Sequence, residues 1–180
     1  MRKIIHKWFW LWDFDKEEKW LNDMASNGLV LHSVGFCRYE FDDSLQGKYN
    51  IRLEMLNNMV SSPESQNYIR FLEETGVEHI GTLFRWVYFR KKATSTPFDL
   101  FSDIDSRIRH LNRLLLIPTI LGALNIFNAV NMTQQYIVRD FNSALIPAVI
   151  AWLVSLLMIY GFLRLYIKKN KLKKQRILHE

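Results

Sequence analysis

Two apolar stretches in the C-terminal half constrain this chain more than any other feature. One, "ALIPAVIAWLVSLLMIYGFL" at 144–163, runs for twenty residues without a charge. A helix crossing a bilayer needs about 20 apolar residues, within a range of ~17–25, so this segment is predicted to span. The other, "LLLIPTILGALNIFNAV" at 114–130, is shorter and carries Thr119, Asn125 and Asn128. It can borrow Leu111 at one end and Met132 at the other. With a loop of only 131–143 between them, the two spans form an antiparallel hairpin, and the lipid bilayer is the first expected partner. Asn125 and Asn128 lie three apart and share a helix face, where an interhelical hydrogen bond is expected. Pro118 and Pro147 allow mild kinks near opposite ends of the hairpin.

Charge orients the hairpin. Residues 1–97 hold 13 Lys+Arg against 13 Asp+Glu, while residues 98–180 hold 11 against 5 and so carry the whole net charge of +6. Arg107, Arg109 and Arg113 precede the first span. Lys168, Lys169, Lys171, Lys173, Lys174 and Arg176 follow the second as a basic tail, 168–180, suited to anionic lipid at the membrane surface. The connecting loop has Arg139 beside Asp140. The excess of basic residues outside the loop predicts that both termini are cytoplasmic, in the cytoplasmic membrane.

The N-terminal half is different in kind, because it contains a repeat. "KWLNDMASNGLVLHSVGFCRYEF" at 19–41 matches "NYIRFLEETGVEHIGTLFRWVYF" at 67–89 in pattern, at an offset of 48 without a gap. Trp20 falls on Tyr68, Leu21 on Ile69, Gly28 on Gly76 and Phe36 on Phe84. Each copy reads as a helix, a glycine stop and a strand. Asp13 or Asp15 can cap the first helix, and Ser61 or Ser62 the second, before Pro63. Gly28 and Gly76 suit the left-handed position that closes a helix. A strand candidate precedes each helix: "HKWFWLWDF" in the first copy and the alternating "KYNIRLEML" in the second. The resulting β-α-β-β-α-β order predicts an α+β, ferredoxin-like domain over 1–92, with two helices on one face of a four-stranded antiparallel sheet. Residues 93–113 then form a linker and an amphipathic juxtamembrane helix, with Phe101, Ile104, Ile108, Leu111 and Leu115 on its apolar stripe. The hairpin follows at 114–167.

"WFWLW" at 8–12 is too short to span and lacks a cleavage site, which excludes a signal peptide. Read as a strand, it puts Trp8, Trp10 and Trp12 on one face and Phe9 and Leu11 on the other. One set packs on the helices. The other lies on the open sheet face beside Phe84, Trp86 and Tyr88, or beside Phe89 and Val87. An exposed apolar patch of that size marks an interaction site, so Trp8, Trp10, Trp12, Phe84, Trp86 and Tyr88 are the partner-binding candidates. A cytoplasmic regulator, the membrane-proximal helix or a second copy of the chain could cover the face.

Little in the sequence points to catalysis. The phosphate loop, HExxH, CxxC and GxSxG patterns are missing, and the five histidines show no metal-ligand spacing. Cys37 is the single cysteine. The pairs Glu17–Glu18, Asp42–Asp43 and Glu73–Glu74 read as solvated faces. No catalytic residue, metal or cofactor is therefore expected. Nucleic acid is disfavoured because phosphate attraction dominates that affinity, and the domain has no net charge.

The segments "KEEKWLNDMASNGLVL", "GFCRYEF", "GKYNIRLEML", "YIRFLEETGVEHIG", "RWVYFRKK" and "LFSDIDSRIRHLNR" together resemble the bacterial domain of unknown function 2812 family. The resemblance covers nearly all of 1–113 and the general layout beyond. Its motifs are structural, so no catalytic residues carry over. Because members are often found near PadR-like transcriptional regulators, it implies a regulatory or sensory association. The expectation is a non-enzymatic, membrane-anchored regulatory protein whose cytoplasmic domain binds a protein partner. An accessory subunit of a transporter or envelope-stress system is the second class, and a ligand-binding or enzymatic domain the third.

Overall fold

The computed structural model describes residues 2–94, 98–100, 104–138 and 142–179. Arg139, Asp140, Phe101 and part of the linker, all used in the sequence reading, lie outside the described residues. The chain divides into two units, Met1–Ser102 and Asp103–Glu180.

The first unit is α+β with six strands: β1 (Lys3–His6), β2 (Leu29–Gly35), β3 (Arg38–Asp43), β4 (Tyr49–Met55), β5 (Glu78–Leu83) and β6 (Trp86–Lys92). They form two three-stranded antiparallel sheets, ordered β1-β3-β2 and β4-β6-β5. The repeat is therefore β-α-β-β taken twice, and the expected single four-stranded ferredoxin-like sheet is replaced by two sheets. What reads as one strand after each glycine is a hairpin. In the first copy it turns at Phe36–Cys37 and in the second at Phe84–Arg85, closed by the pairs Gly35↔Arg38 and Leu83↔Trp86.

The duplication extends to local irregularities. Register shifts fall between Leu31 and Ser33 and again between His79 and Gly81. Gly28 and Gly76 both stand in the left-handed region, at φ 83° and 81°, where a side chain would be strained. Each follows a helix, α1 (Phe14–Ser26) or α2 (Pro63–Glu74). Of the two serines that could cap α2, Ser62 does so, its hydroxyl accepting from the Ser65 amide at 3.2 Å.

"WFWLW" is not a strand. β1 pairs with β3 from Lys3↔Phe41 to His6↔Arg38, and β3 begins at Arg38, where the hairpin turns. Beyond His6 there is no partner strand to pair with. One further bond, from the Lys7 amide to the Cys37 carbonyl at 3.1 Å, ends the association. The chain then leaves the sheet and enters α1 through a short 3-10 turn, Leu11–Asp13.

The two sheets meet along β2 and β5. A Cβ on Gly81 would lie 3.3 Å from Val34 Cγ1, and the Arg90 guanidinium reaches the Leu31 carbonyl at 3.1 Å. Because Arg90 pairs with Glu78 across the ladder, these contacts make β2 and β5 run the same way. Both hairpin tips therefore point to one end of the unit. α1 packs among Leu31, Tyr39, Phe41, Ile51, Leu53 and Tyr88, with Leu21 and Ala25 buried in that core. α2 covers the opposite face of the second sheet, where Ile69 joins Leu56, Val77, Val87, Phe89 and Phe98. Phe71, read as part of the α2 stripe, is exposed.

α1 also seals a sheet edge, a place where unpaired backbone groups would invite aggregation. The Asn22 side chain accepts from the Ile51 amide and donates to the Ile51 carbonyl, both at 2.8 Å. Glu18 accepts from the Leu53 amide at 3.0 Å. These bonds give β4 the partners that a further strand would have supplied.

The second unit holds α3 (Ile104–Val138) and α4 (Leu145–His179), each 35 residues. At ~1.5 Å per residue each is about 52 Å long, well beyond a hydrocarbon core of about 30 Å. Both are long and apolar enough to cross a membrane. The juxtamembrane segment from Ile104 and the basic tail are the first and last turns of these helices rather than separate pieces, and Asp105 pairs with Arg176 at 3.1 Å.

Candidate functional site: the hairpin tips and a buried carboxylate

The end of the first unit that carries both hairpin tips is aromatic. Trp8 meets Phe36 edge to face at 5.6 Å between centroids, and meets Trp10 in the same manner at 5.4 Å. Trp10 stacks flat on Trp12 at 5.1 Å. Exposure divides the row. Phe36, Trp8 and Trp10 are 66%, 53% and 39% exposed, whereas Trp12 is 3% exposed. Trp12 therefore anchors the row and does not present a surface. Tyr88, 2% exposed, faces the α1 core and is likewise removed from the partner-binding set. Trp86 packs partly against that core and touches Phe14 at 5.9 Å. Phe84 is 75% exposed. So of the six aromatic candidates, Trp8, Trp10 and Phe84 reach solvent freely, and Phe36 joins them.

Both tips hold a residue in an unfavourable backbone state. Cys37 has φ 55° and Phe84 has φ 56°, a region that two-residue hairpins ordinarily fill with Gly, Asn or Asp. The second tip is fastened from behind. The Arg85 guanidinium donates to the carbonyls of Leu56 and Asn57, and the Leu56 amide donates to the Arg85 carbonyl at 2.9 Å.

Beneath the tips sits a polar group that the sequence reading placed in solvent. Glu17 lies between the repeats, and one of its oxygens accepts from Tyr39 at 2.8 Å and from Tyr88 at 2.7 Å. Tyr39 belongs to β3 and Tyr88 to β6, so one carboxylate ties the two sheets together. Burial pushes the Glu17 carboxyl above its ordinary value, and the two hydroxyls, Tyr88 ahead of Tyr39, pull it only part of the way back. Burial, with the carboxylate alongside, raises both tyrosines strongly, so both remain proton donors. Glu18 is raised by burial too, against the opposing pull of Arg52 and the Leu53 amide; Arg52 lies 3.0 Å away. Glu17 and Glu18 are therefore structural groups inside the fold. Of the other carboxylate pairs, Asp42 meets Arg2 at 3.5 Å and His32 at 2.8 Å, and Glu73 and Glu74 are exposed.

A cavity of about 130 Å³ lies between the end of α2 and β6, lined by Leu72, Val77, Lys91 and Asp99 among others. Pockets that hold drug-sized ligands run to about 300–1,000 Å³. Among the described residues, no group of three or more His, Cys, Asp or Glu side chains could hold a metal ion.

In the second unit, Asn125 donates to the Ala151 carbonyl at 2.7 Å and to Ser155 at 2.9 Å. Nearby, Gly122 admits close helix approach: a Cβ there would lie 3.3 Å from Met158 Cβ. Trp152 donates to Thr133 at 3.1 Å. Asn128, by contrast, faces outward and makes no contact with α4 comparable to Asn125's, so the two asparagines do not form the shared site their spacing suggested. Lys171, Lys173, Lys174 and Arg176 are exposed along the end of α4, with Lys168 and Lys169 partly covered.

Phe36 and the Glu17 clasp were not singled out by the sequence reading. Phe36 had a usable signal. The segment 29–41 is thirteen residues long, whereas strands usually run ~3–10, so a turn within it was to be expected. Glu17 had none, because its tyrosine partners are distant in sequence.

Among curated proteins and solved structures, nothing matches the chain. One family model does match, over residues 13–123, from the start of α1 through both repeats and into α3, leaving Trp8 and Trp10 outside the matched span. That match takes in well over half the chain, which therefore belongs to the family described as protein of unknown function DUF2812.

Proposed function

We propose that this is a non-enzymatic regulatory or sensory protein, held in the cytoplasmic membrane by the α3–α4 hairpin with both termini in the cytoplasm. Its first unit binds a protein partner at the second hairpin tip. The partner class is a soluble cytoplasmic regulator, a PadR-like transcriptional regulator being the leading instance. The membrane part is supported by the apolar side chains turned outward on both helices, among them Leu116, Ile120, Phe127, Ile146, Leu153 and Leu163. The orientation is supported by Arg107, Arg109 and Arg113 lying at the same end of the hairpin as Lys168–Arg176.

The observation that carries the partner reading is Phe84. It is 75% exposed and held at φ 56°. Left-handed backbone costs a residue with a Cβ about 1–2 kcal/mol, and an exposed phenyl ring returns nothing for it in the free protein. Folding alone would favour Gly or Asn there. Strain kept at an exposed apolar side chain is a mark of a contact site. The test is a photo-crosslinking residue in place of Phe84, activated in native membranes. Covalent capture of a soluble cytoplasmic regulator is expected. An empty result at position 84, with the protein present and folded, would sink the reading.

A second reading is favoured by Asn128. An amide turned outward from an apolar helix is costly in lipid unless another membrane protein meets it. Crosslinking from position 128 to a larger membrane protein would make this chain an accessory subunit of a transporter or envelope-stress system.

A further inference from the structure

The row Phe36–Trp8–Trp10 differs from Phe84 in its surroundings. Residues 1–12 contain Arg2, Lys3 and Lys7 and no acidic residue. Arg38, at the foot of the first hairpin, pairs with Glu40 at 2.7 Å, and Arg2 pairs with Asp42 at 3.5 Å. Lys7 remains as positive charge at the start of the row, directly before Trp8. Its ammonium lies over the rings of Phe9 and Trp20, at 5.0 and 4.5 Å from their centroids.

Indoles with an apolar body and one polar N–H concentrate where a bilayer meets water. Basic residues alongside them add attraction to anionic headgroups. We infer that Phe36, Trp8 and Trp10, with Lys7, form a lipid-binding ridge that seats the first unit on an anionic bilayer surface. This rests on the reading of α3 and α4 as membrane-spanning, which keeps a bilayer within reach of the same chain. A second copy of the chain fits the ridge less well. A standard interface buries about 800 Å² per partner, more than three side chains supply.

The test uses the full chain in vesicles of phosphatidylcholine alone or mixed with phosphatidylglycerol, containing lipids with a nitroxide either at the headgroup or deep in the acyl chain. Subtracting the emission of a Trp8→Phe/Trp10→Phe variant isolates the ridge indoles. Subtracting that of Trp152→Phe isolates an indole of α4. Quenching of Trp8 and Trp10 by the headgroup nitroxide in anionic vesicles is expected. Lys7→Gln should lower the docked-to-undocked ratio about fivefold. If the deep nitroxide quenches Trp152 while Trp8 and Trp10 stay as open to aqueous iodide as in detergent, the ridge proposal is overturned and the hairpin reading stands. Shielding of Trp8 and Trp10 from iodide without lipid quenching also overturns it, since protein then covers the ridge. An unquenched Trp152 overturns both.

Discussion

The two β-α-β-β repeats share a backbone and differ in where their helices end up. α1 lies against both sheets, and α2 lies on the outer face of one. At the offset of 48, Glu17 stands where Ser65 does, Glu18 where Gln66 does, and Asn22 where Arg70 does. In α1 these three side chains bind Tyr39, Tyr88, Arg52, Ile51 and Leu53, all outside the helix. In α2, Ser65 and Gln66 bind only the helix's own approach, Ser62 and Val60. Repetition supplied two equivalent helices, and three polar positions assigned them different tasks. Each substitution below compares a residue of α1 with its counterpart in α2, read by denaturant unfolding of the full chain in detergent through tryptophan fluorescence.

The largest effect is expected from the core. Leu21 has no exposed surface and sits where both sheets meet the helix. Leu21→Ala should cost about 2–5 kcal/mol. Ile69→Ala, in the smaller cluster under α2, should fall at the lower end of that range. Equal losses would show that α1 is not the central helix.

Next comes the edge seal. Asn22→Ala leaves the Ile51 carbonyl with Arg52 at 3.4 Å but takes the partner from the Ile51 amide, and should cost about 1–3 kcal/mol for that amide. Arg70→Ala, at an exposed position, should lie within ~0.5 kcal/mol of the parent. If Asn22→Ala were equally mild, water would be serving the β4 edge and the seal would be incidental.

The glycines give a smaller and more exacting contrast. Alanine at either Gly28 or Gly76 is strained by the left-handed backbone, at about 1–2 kcal/mol. Gly76 has open space around the added Cβ, whereas at Gly28 it would lie 3.1 Å from the Ser44 carbonyl oxygen. Gly28→Ala should therefore cost more than Gly76→Ala.

The same contrast shows which parts of the molecule the sequence made legible. The repeat, the helix stops at Gly28 and Gly76 and the apolar helices could be read because each rests on local pattern: spacing, a glycine, a run of hydrophobic residues. The hairpins left only segment length as a sign, because Phe36–Cys37 and Phe84–Arg85 carry none of the usual turn residues. The end of β1 at His6 is set by where β3 begins, a matter of pairing rather than of its own residues, so the aromatic run after it looked like strand. Asp42 and Glu73 read as surface acids and behave as such. Glu17 reads the same way and does not, since only the assembled sheets bring Tyr39 and Tyr88 to it. Of the aromatic candidates, Trp12 and Tyr88 failed for a related reason: alternation gives faces, and which face is covered depends on the second sheet.

The smallest effect on stability at neutral pH, and the sharpest in its pH dependence, belongs to Glu17. Burial raises its carboxyl above the ordinary value, with Tyr88 and Tyr39 opposing. A carboxyl raised in the folded state binds its proton more tightly there than when unfolded. Its contribution to stability is therefore fully present below the unfolded value, near 4.5, and is lost as pH rises through the folded value. Once ionised, Glu17 is a buried charge whose cost the two hydroxyls only partly offset. Glu17→Gln keeps an oxygen that can accept from Tyr39 and Tyr88 and removes the charge. The variant should match or slightly exceed the parent at pH 7 and should lose the parent's decline in stability between mildly acidic and neutral pH. Ser65→Ala, at the equivalent place in α2, removes a hydroxyl within the Ser62 cap and leaves that pH profile as it is. If Glu17→Gln weakened the protein at pH 7 and left the profile intact, the ionised carboxylate would be a net asset to the clasp, and the joint between the repeats would be held by charge rather than in spite of it.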